Sequence, residues 1–402
     1  MQKITYASED NLMKITKQYL HRWCKEQVST QLSLLKTLAS IPAPSHQEDR
    51  RAEFIQDWLL QQGAKGVMID PAKNVILHFG NSEGPTLVCM AHTDVVFPDT
   101  DPLPVREESG RLYAPGVGDD TANVTALLLC AKFLLSHPEA VSEPLLMVFN
   151  SCEEGLGNLK GVRQIMKDYA GRVRALVSFD CCWDAVISQA VGSERWQVTV
   201  KTRGGHSFSD FGNPNAIVHL SRLIDSLYRQ PIPKYHGSKT TYNVGLISGG
   251  TSVNTIAQSA QMTYEYRSDH RDCLAAMACQ FHSLVQQHTT PDVEITVTGI
   301  GQRPCGGDVP EEAHQALLSR CRSAVQMITG FCPPLRSAST DANIPLSLGI
   351  PAATFGLYLG GGAHTREEYV EISSLTPGLE IALNFFLHAQ LEESMIDNLQ
   401  CT

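Results

Sequence analysis

The sequence predicts an α/β protein in which a mostly parallel, doubly wound sheet carries an inserted unit of a different type. Short apolar runs alternate with helical stretches in the first half of the chain, which is typical of a parallel sheet covered by helices. Residues 195–304 instead follow the order βαββαβ, the split arrangement of ferredoxin-like folds. A further apolar run at 352–356 indicates that the first sheet resumes after the insertion.

Helices are predicted before the first strand. Leucines at helical spacing predict a helix over residues 28–40. The segment from Ser45 to Glu48 matches a capping box, in which the Ser45 hydroxyl would accept a hydrogen bond from the Glu48 backbone. This cap predicts a second helix that ends near Gly63. Its apolar face would consist of Phe54, Ile55, Trp58 and Leu59.

Four apolar runs have the length and composition of buried strands. They are Thr86 to Met90, Leu145 to Phe149, Ala175 to Phe179 and Ala352 to Gly356. Predicted helices at about 122–136 and 157–169 separate the first three runs. Since parallel strands in one sheet need such crossovers, these runs are expected to pair with one another.

The inserted segment has its own order of elements. A strand from Trp196 to Thr202, a helix at about 214–229, strands at about 240–247 and 259–267, a helix at about 273–288 and a strand from Val293 to Thr298 are predicted. We therefore expect one domain formed by residues 1–194 and 305–402 and a second domain formed by residues 195–304.

Composition excludes several classes of function. The 402 residues carry 32 Lys and Arg against 42 Asp and Glu, a formal charge of −10, which argues against a nucleic-acid or membrane-surface binder. No apolar run approaches the roughly 20 residues of a membrane span. The first ten residues lack the apolar core of a signal peptide, so a cytoplasmic location with reduced thiols is expected. The twelve cysteines form no Cys-x-x-Cys pair and favour buried small side chains over a cysteine zinc site.

Imidazole and carboxylate side chains follow the predicted strands, where ligands bind in open α/β sheets. These side chains are His92, Asp94, Asp119, Glu153, Glu154, Asp180 and His364. A ligand set of two histidines and three carboxylates exceeds what one tetrahedral zinc with an open position requires, so two divalent ions that share a bridging carboxylate are predicted. Zinc, manganese and cobalt all suit such ligands. Asp94 could orient His92 from behind, and the Glu153-Glu154 pair could supply one ligand and one general base in either order.

Six motifs in this order resemble the di-zinc aminoacylase/aminopeptidase family of metallopeptidases. They are His92-Thr93-Asp94, Gly116-Val117-Gly118-Asp119-Asp120, Glu153-Glu154-Gly155, the Asp180 after a strand, Gly204-Gly205-His206-Ser207 and Gly361-Gly362-Ala363-His364. The family includes tripeptidase T, carnosinase, carboxypeptidase G and the acetylornithine and succinyl-diaminopimelate deacylases. The resemblance extends over about residues 30 to 390 and implies a zinc-exopeptidase-like catalytic domain.

The resemblance also implies a role for each motif residue. The metal ligands would be His92, Asp119, Glu154, Asp180 and His364, with Asp119 as the bridge. Glu153 would be the general base, and Asp94 would support His92. Two ions, zinc in the first place with manganese or cobalt as alternatives, would be the cofactors. An Asp rather than a Glu at position 180 resembles the tripeptidase and dipeptidase branches.

The inserted domain resembles the family's lid and dimerisation domain, which implies a homodimer. His206 would lie near the scissile carbonyl oxygen, often that of the partner subunit, where a donor stabilises negative charge. Arg267 would hold a substrate carboxylate, and Asn254 would be another lid contact. Residues 339–342 line the cleft in relatives, as substrate contact or as loop structure. Thr121-Ala122 after the Asp pair and Cys181-Cys182 after Asp180 depart from the family pattern and leave the substrate open.

These observations predict a cytoplasmic di-metal amidohydrolase, in which a metal-bridging hydroxide attacks the amide with Glu153 as general base. The expected substrate is a short peptide cleaved at its N-terminal bond. An N-acyl amino acid deacylase with the same residues is the first alternative. A non-catalytic metal-binding homologue is a second, and a cysteine hydrolase that uses Cys181 or Cys182 is a third.

Overall fold

The computed structural model describes residues 15–80 and 84–387. The α-helices of this part are Lys17–Glu26 (α1), Val28–Ser40 (α2), Asp49–Gln61 (α3), Asn123–Ser136 (α4), Lys160–Asp168 (α5), Ala216–Tyr228 (α6), Arg271–His288 (α7), Glu311–Thr329 (α8), Asn343–Ser347 (α9) and Leu375–Phe386 (α10). The strands are Met68–Ile69 (β1), Val75–Phe79 (β2), Thr86–His92 (β3), Arg106–Glu108 (β4), Arg111–Tyr113 (β5), Leu145–Asn150 (β6), Val173–Ser178 (β7), Val186–Ala190 (β8), Gly192–Thr202 (β9), Gly205–His206 (β10), Thr240–Gly249 (β11), Thr255–Ile256 (β12), Ser259–Ser268 (β13), Val293–Arg303 (β14), Leu335–Ala338 (β15), Ala352–Thr354 (β16), Gly360–Gly361 (β17) and Tyr369–Glu371 (β18).

The main sheet has eight strands in the order β1-β2-β6-β3-β7-β16-β8-β15. Its centre is parallel: β3 pairs in parallel with β6 and β7, and β16 pairs in parallel with β7. The four predicted apolar runs are these central strands, so the predicted α/β fold class is confirmed. Antiparallel pairs lie between β2 and β6 and between β16 and β8, so the complete sheet is mixed.

Helices cover both faces of this sheet, as a doubly wound arrangement requires. Alternate residues of β3 divide between two buried clusters, with Leu87 and Cys89 on one face and Val88 and Met90 on the other. The first face packs against α3, α4 and α10, and the second packs against α5. Because both faces are buried, the central strands are continuously apolar rather than alternating.

The predicted helices over 28–40 and after Glu48 are present as α2 and α3, but the predicted capping box is wrong. The Ser45 hydroxyl makes no bond to the Glu48 backbone and instead donates to Asp94 Oδ2 over 2.6 Å. The Glu48 side chain accepts the backbone N–H of His46 over 2.8 Å. A buried carboxylate from a distant segment has therefore displaced the local cap, because a charged acceptor forms the stronger hydrogen bond.

A separate four-stranded sheet has the order β11-β13-β9-β14 and is antiparallel throughout. Helices α6 and α7 cover one face, where Val198, Leu220 and Phe281 are buried. The opposite face presents polar side chains such as Arg195 and Arg267, which alternate with the buried residues along β9 and β13. The strand β9 begins at Gly192, and the division of the chain at 194/195 and 304/305 stays a prediction. Among the described residues, no helix is long and apolar enough to cross a membrane.

Candidate active site

The site begins at the carboxyl end of β3, where His92 is the last residue of the strand and is buried. Its Nε2 lies 3.0 Å from Asp119 Oδ1. Its Nδ1 lies 3.1 Å from the backbone oxygen of Asp94 and 3.5 Å from Asp94 Oδ1. One ring nitrogen therefore faces the cluster and the other faces Asp94, which fixes the orientation of the ring.

Asp94 connects the β3 loop to the loop after β6. Its Oδ1 accepts the backbone N–H of Glu153 and its Oδ2 accepts that of Glu154, each over 2.9 Å. Burial raises the pKa of this carboxyl, but the hydrogen bonds from His92 and Ser45 outweigh burial and hold the pKa below its usual range. An ionised Asp94 thus holds both glutamates in place.

Asp119 lies between the two histidines. Its Oδ1 faces His92, and its Oδ2 lies 3.2 Å from His364 Nε2. His364 Nε2 also lies 3.2 Å from Glu154 Oε1. These two carboxylates raise the pKa of His364 to about 10. The two oxygens of Asp119 therefore contact two different imidazoles.

The backbone around Asp119 is held by Glu368, which the sequence interpretation did not single out. This buried carboxylate accepts the backbone N–H groups of Gly116, Gly118 and Asp119 over 3.0, 2.8 and 2.7 Å. A Cβ on Gly116, whose φ is +70°, would lie 2.3 Å from Val95, so glycine is required there. Glu368 follows four residues after His364, and this proximity to a motif residue was the one available signal.

The predicted metal ligands form overlapping groups whose donor atoms lie within 4.8 Å of one another. One group is His92, Asp119 and Asp180, and another is Asp119, Glu154 and His364. A third consists of His92, Glu153 and Glu154. Burial, together with the nearby Asp119 carboxylate, raises the pKa of Asp180 to about 6.

Glu153 has a cationic partner that the sequence interpretation also missed. Arg303, the last residue of β14, is 5% exposed, and its Nη1 lies 2.9 Å from Glu153 Oε1. Its Nη2 donates to the Glu153 backbone oxygen, and Nη1 lies 3.3 Å from both the hydroxyl and the backbone oxygen of Ser339. The sequence offered no signal for this pair, because the two residues are 150 positions apart.

The donor chemistry fits two divalent cations. Four carboxylates, those of Asp119, Glu153, Glu154 and Asp180, converge with two imidazoles in a largely buried region. Uncompensated buried carboxylates are costly, and Arg303 is in contact with only one of them. Hard divalent ions would offset the remaining charge. The described groups that could hold an ion consist of histidine, aspartate and glutamate, which suit such cations.

The three predicted lid residues lie in the four-stranded unit and its loops. Their hydrogen bonds are to residues of the same unit. His206 is exposed in β10, and its Nδ1 accepts the backbone N–H of Phe208 over 3.2 Å. The backbone oxygen of the exposed Asn254 accepts the N–H of Ser207 over 3.0 Å. Their hydrogen bonds do not connect them to the buried cluster.

Arg267, the third predicted lid residue, is engaged by a neighbour on its own strand. Its Nε lies 2.9 Å from Glu265 Oε1, and Arg195 Nε lies 3.1 Å from Glu265 Oε2. Arg195 also donates to the backbone oxygen of Gly155, directly after Glu154. The polar face of the four-stranded sheet therefore contacts the loop that carries the two glutamates.

The 339–342 segment lies at the same end of the main sheet. Asp341 is buried, and its Oδ2 accepts a hydrogen bond from Asn150 Nδ2 over 2.7 Å. Asn150 is the last residue of β6 and pairs with His92 in the sheet. This contact supports the interpretation that residues 339–342 form loop structure. At the start of this segment, Ser339 contacts Arg303.

Comparison with known proteins agrees with this geometry. Residues 88–388 match the Peptidase family M20/M25/M40. A putative succinyl-diaminopimelate desuccinylase of Mycobacterium tuberculosis is 25% identical over 358 residues, which cover 87% of this chain and 96% of that protein.

Solved structures show the same fold. A tripeptidase of Staphylococcus aureus superposes with a TM-score of 0.73 at 18% identity, covering 90% of this chain and 98% of that chain. The YxeP protein of Bacillus subtilis, described as a dinuclear metal-binding peptidase, superposes with a TM-score of 0.63 at 14% identity, covering 91% of this chain and 99% of that chain. The chain therefore belongs to peptidase family M20/M25/M40, and it is a metal-dependent hydrolase of the peptidase and amidohydrolase type.

Proposed function

We propose that this protein hydrolyses an amide bond in short peptides at a centre of two divalent ions. The observation that carries the proposal is the position of Asp119, whose two oxygens face His92 and His364 separately. One ion would be held by His92, Asp119 and Asp180, and the other by Asp119, Glu154 and His364. Zinc is the proposed metal, with manganese and cobalt as alternatives, because all three accept imidazole and carboxylate.

Glu153 is the proposed general base. When bound, the two ions would polarise the amide carbonyl and lower the pKa of water at the site. Glu153 accepts the proton of the attacking water and returns it to the leaving amine. Asp94 holds His92 through Nδ1 and holds the backbone of Glu153, so the imidazole and the base keep their orientation.

The proposed substrate is a di- or tripeptide-like molecule with a free carboxylate. Arg267 and Asn254 would contact it, and Arg267 offers the planar fork that suits a carboxylate. Arg267 is paired with Glu265, so a substrate carboxylate would share or displace that contact. His206 would donate to the carbonyl oxygen from the partner subunit of a homodimer.

A cytoplasmic location is part of the same proposal. All eleven cysteines in the described part of the chain carry free thiols, which agrees with a reducing compartment. Burial also raises the pKa of Cys182 to about 11, which disfavours the thiolate that a cysteine hydrolase would need.

An assay of free di- and tripeptides against N-acetyl and N-succinyl amino acids, with zinc, manganese or cobalt added, tests the substrate class. We expect turnover of the free peptides. Glu153→Gln should lower kcat by about 10²–10⁴-fold, the usual contribution of a general base. Metal content, measured by elemental analysis, should stay at two ions per chain in this variant.

The alternative is an N-acyl amino acid deacylase, and the 25% identity to the M. tuberculosis desuccinylase favours it specifically. Turnover of the acylated set alone would replace the peptidase proposal with this one. If the fully metallated protein hydrolyses neither set, the remaining interpretation is a metal-binding homologue without turnover.

A further inference from the structure

The contact between Arg303 and Glu153 crosses from the four-stranded unit to the main sheet. Arg303 ends β14 and pairs in register with Ser193 of β9, so its backbone belongs to the four-stranded sheet. Its guanidinium contacts the loop after β6 through Glu153 and the loop after β15 through Ser339. One buried side chain thus joins the four-stranded sheet to two loops at the edge of the main sheet.

We propose that Arg303 is a positioning residue, which holds the carboxylate and the backbone of Glu153 in the geometry needed for proton transfer. The inference rests on the proposed role of Glu153 as general base. It adds that the four-stranded unit supplies part of the support for this base, through a side chain that acts on the reaction by way of Glu153.

The geometry favours positioning over general packing. Both Nη atoms engage the same residue, one at the carboxylate and one at the backbone oxygen, which fixes Glu153 at two points. A guanidinium holds such an arrangement because its donors lie in one rigid plane, whereas an ammonium is a point charge. The contact is buried on both sides, with side-chain exposures of 5% and 6%, so water does not replace it readily.

The test compares Arg303→Lys and Arg303→Ala with the wild type. Misplacing a reacting group by about 1 Å can cost on the order of 10²-fold in rate. We expect Arg303→Ala to lower kcat by about this factor with KM changed less than about threefold, and Arg303→Lys to lie between Ala and wild type. Guanidinium ion at millimolar concentration should restore part of kcat in Arg303→Ala and none in Arg303→Lys.

A matched control is Arg163→Met. Arg163 Nη2 donates to the backbone oxygen of Gln302 over 2.7 Å, so this arginine also joins a main-sheet helix to β14 but does not touch Glu153. Its replacement should leave kcat within about twofold. Two further readouts apply to Arg303→Ala: metal content should stay at the wild-type level, and a crystal structure of the metal-free variant should show the Glu153 carboxylate in a different rotamer.

The inference is overturned if Arg303→Ala retains wild-type kcat while Glu153→Gln loses it. It is also overturned if Arg303→Ala loses its metals, or if guanidinium rescues nothing while Arg163→Met is equally impaired, because each result indicates a structural role. If Arg303→Ala does not fold, a wild-type kcat in Arg303→Lys excludes the bidentate role. Failure of the proposed function itself looks different, since the wild type would then turn over no amide.

Discussion

Asp119 is held at this site through both its side chain and its backbone. Its carboxylate lies between two imidazoles, and its backbone N–H is held by the buried Glu368. Burial raises the pKa of Asp119, but the hydrogen bonds from His364 and His92 outweigh burial and lower it below the ordinary range. The residue is therefore ionised and oriented before any cation arrives.

Replacing Asp119 by Asn should remove the shared ligand from both proposed ion positions. Asn offers one neutral oxygen, so it cannot present an anionic oxygen to each side. We expect affinity for both ions to fall by more than the roughly 10–100-fold typical of losing a supporting partner. Metal stoichiometry after dialysis, together with titration calorimetry of the metal-free protein, measures this effect.

Asp225→Asn is the control for this substitution, because it removes a carboxylate of α6 that pairs with Arg229, in the four-stranded unit and not in the cluster. That variant should still bind two ions. Wild-type stoichiometry and affinity in Asp119→Asn would show that Asp119 does not bridge the ions.

The motif residues of the site could be predicted from the sequence, but their supports could not. His92 and Glu154 lie in short motifs at strand ends, and Asp119 lies in a short motif directly before α4, so general rules on sheets and metals are enough to find them. Glu368 and Arg303 act on residues about 250 and 150 positions away. No local pattern marks Arg303, and the only local signal for Glu368 is its proximity to His364. Ser45 was misassigned for the same reason, since its partner Asp94 comes from another segment.

At the scale of elements, strands made of a continuous apolar run were predictable, whereas strands that combine apolar and polar residues were not. The strands β3, β6, β7 and β16 are buried at every position except Arg174 of β7, so their composition alone marks them. The edge strand β15 is largely exposed, and its pairing with β8 depends on tertiary context. Propensity carries little information at such edges, because neighbours decide whether a strand forms.

The strand β2, which lies between β1 and β6, is connected to the segment after α5 by a pair that should make stability depend on pH. His78 Nε2 lies 2.8 Å from Tyr169 Oη. Burial, assisted by the positive charge of Arg172, lowers the pKa of His78 below its ordinary value of 6.5. As pH falls through 6.5, the unfolded chain binds this proton before the folded chain does, so folding loses free energy.

His78→Gln should therefore reduce the loss of stability on acidification. Gln can accept from Tyr169 but does not titrate, so its free energy of unfolding should change less between pH 7.5 and pH 5.5. Urea unfolding of the metal-free protein at both pH values measures the difference. His236→Gln, at an exposed position in the four-stranded unit, is the control and should retain the wild-type pH dependence. Equal pH dependence in wild type and His78→Gln would contradict the assignment.

For the whole molecule, part of the net negative charge can be assigned to the buried cluster. The chain carries a formal charge of −10, and four of its carboxylates converge in the buried cluster. Two bound divalent ions would offset the negative charge of these carboxylates, so the metallated protein is less acidic than the sequence indicates.

The order of elements also allowed the insertion to be predicted, because βαββαβ differs from the alternation around it. The additional small sheet β17-β18-β5-β4 had no such pattern.

The proposed homodimer has a candidate surface on the four-stranded unit. The strand β11 is an edge strand of this sheet, and Leu246 and Ile247 on it are 70% and 60% exposed. Ile217 and Val218 of the neighbouring α6 are also about two-fifths exposed, at 42% and 41%. An exposed apolar edge strand is a ready template for pairing with a second chain, and a symmetric pair would bury both copies of it.

Leu246→Lys combined with Ile247→Lys should therefore convert a dimer into a monomer, because paired copies would bring four ammonium groups together. Sedimentation velocity should show half the wild-type mass. Peptide turnover should fall as well, since His206 of the partner subunit would be lost. Leu348→Lys is the matched control, because Leu348 is 60% exposed outside the four-stranded unit, and it should leave the mass unchanged.

A mixture of two inactive variants tests the partner's contribution. Equal amounts of Glu153→Gln and His206→Ala chains should regain roughly a quarter of wild-type activity. About half of the dimers would contain one chain of each kind, and each of these would hold one complete site out of two. A wild-type monomer with full activity, or no recovery in the mixture, would refute the partner's contribution.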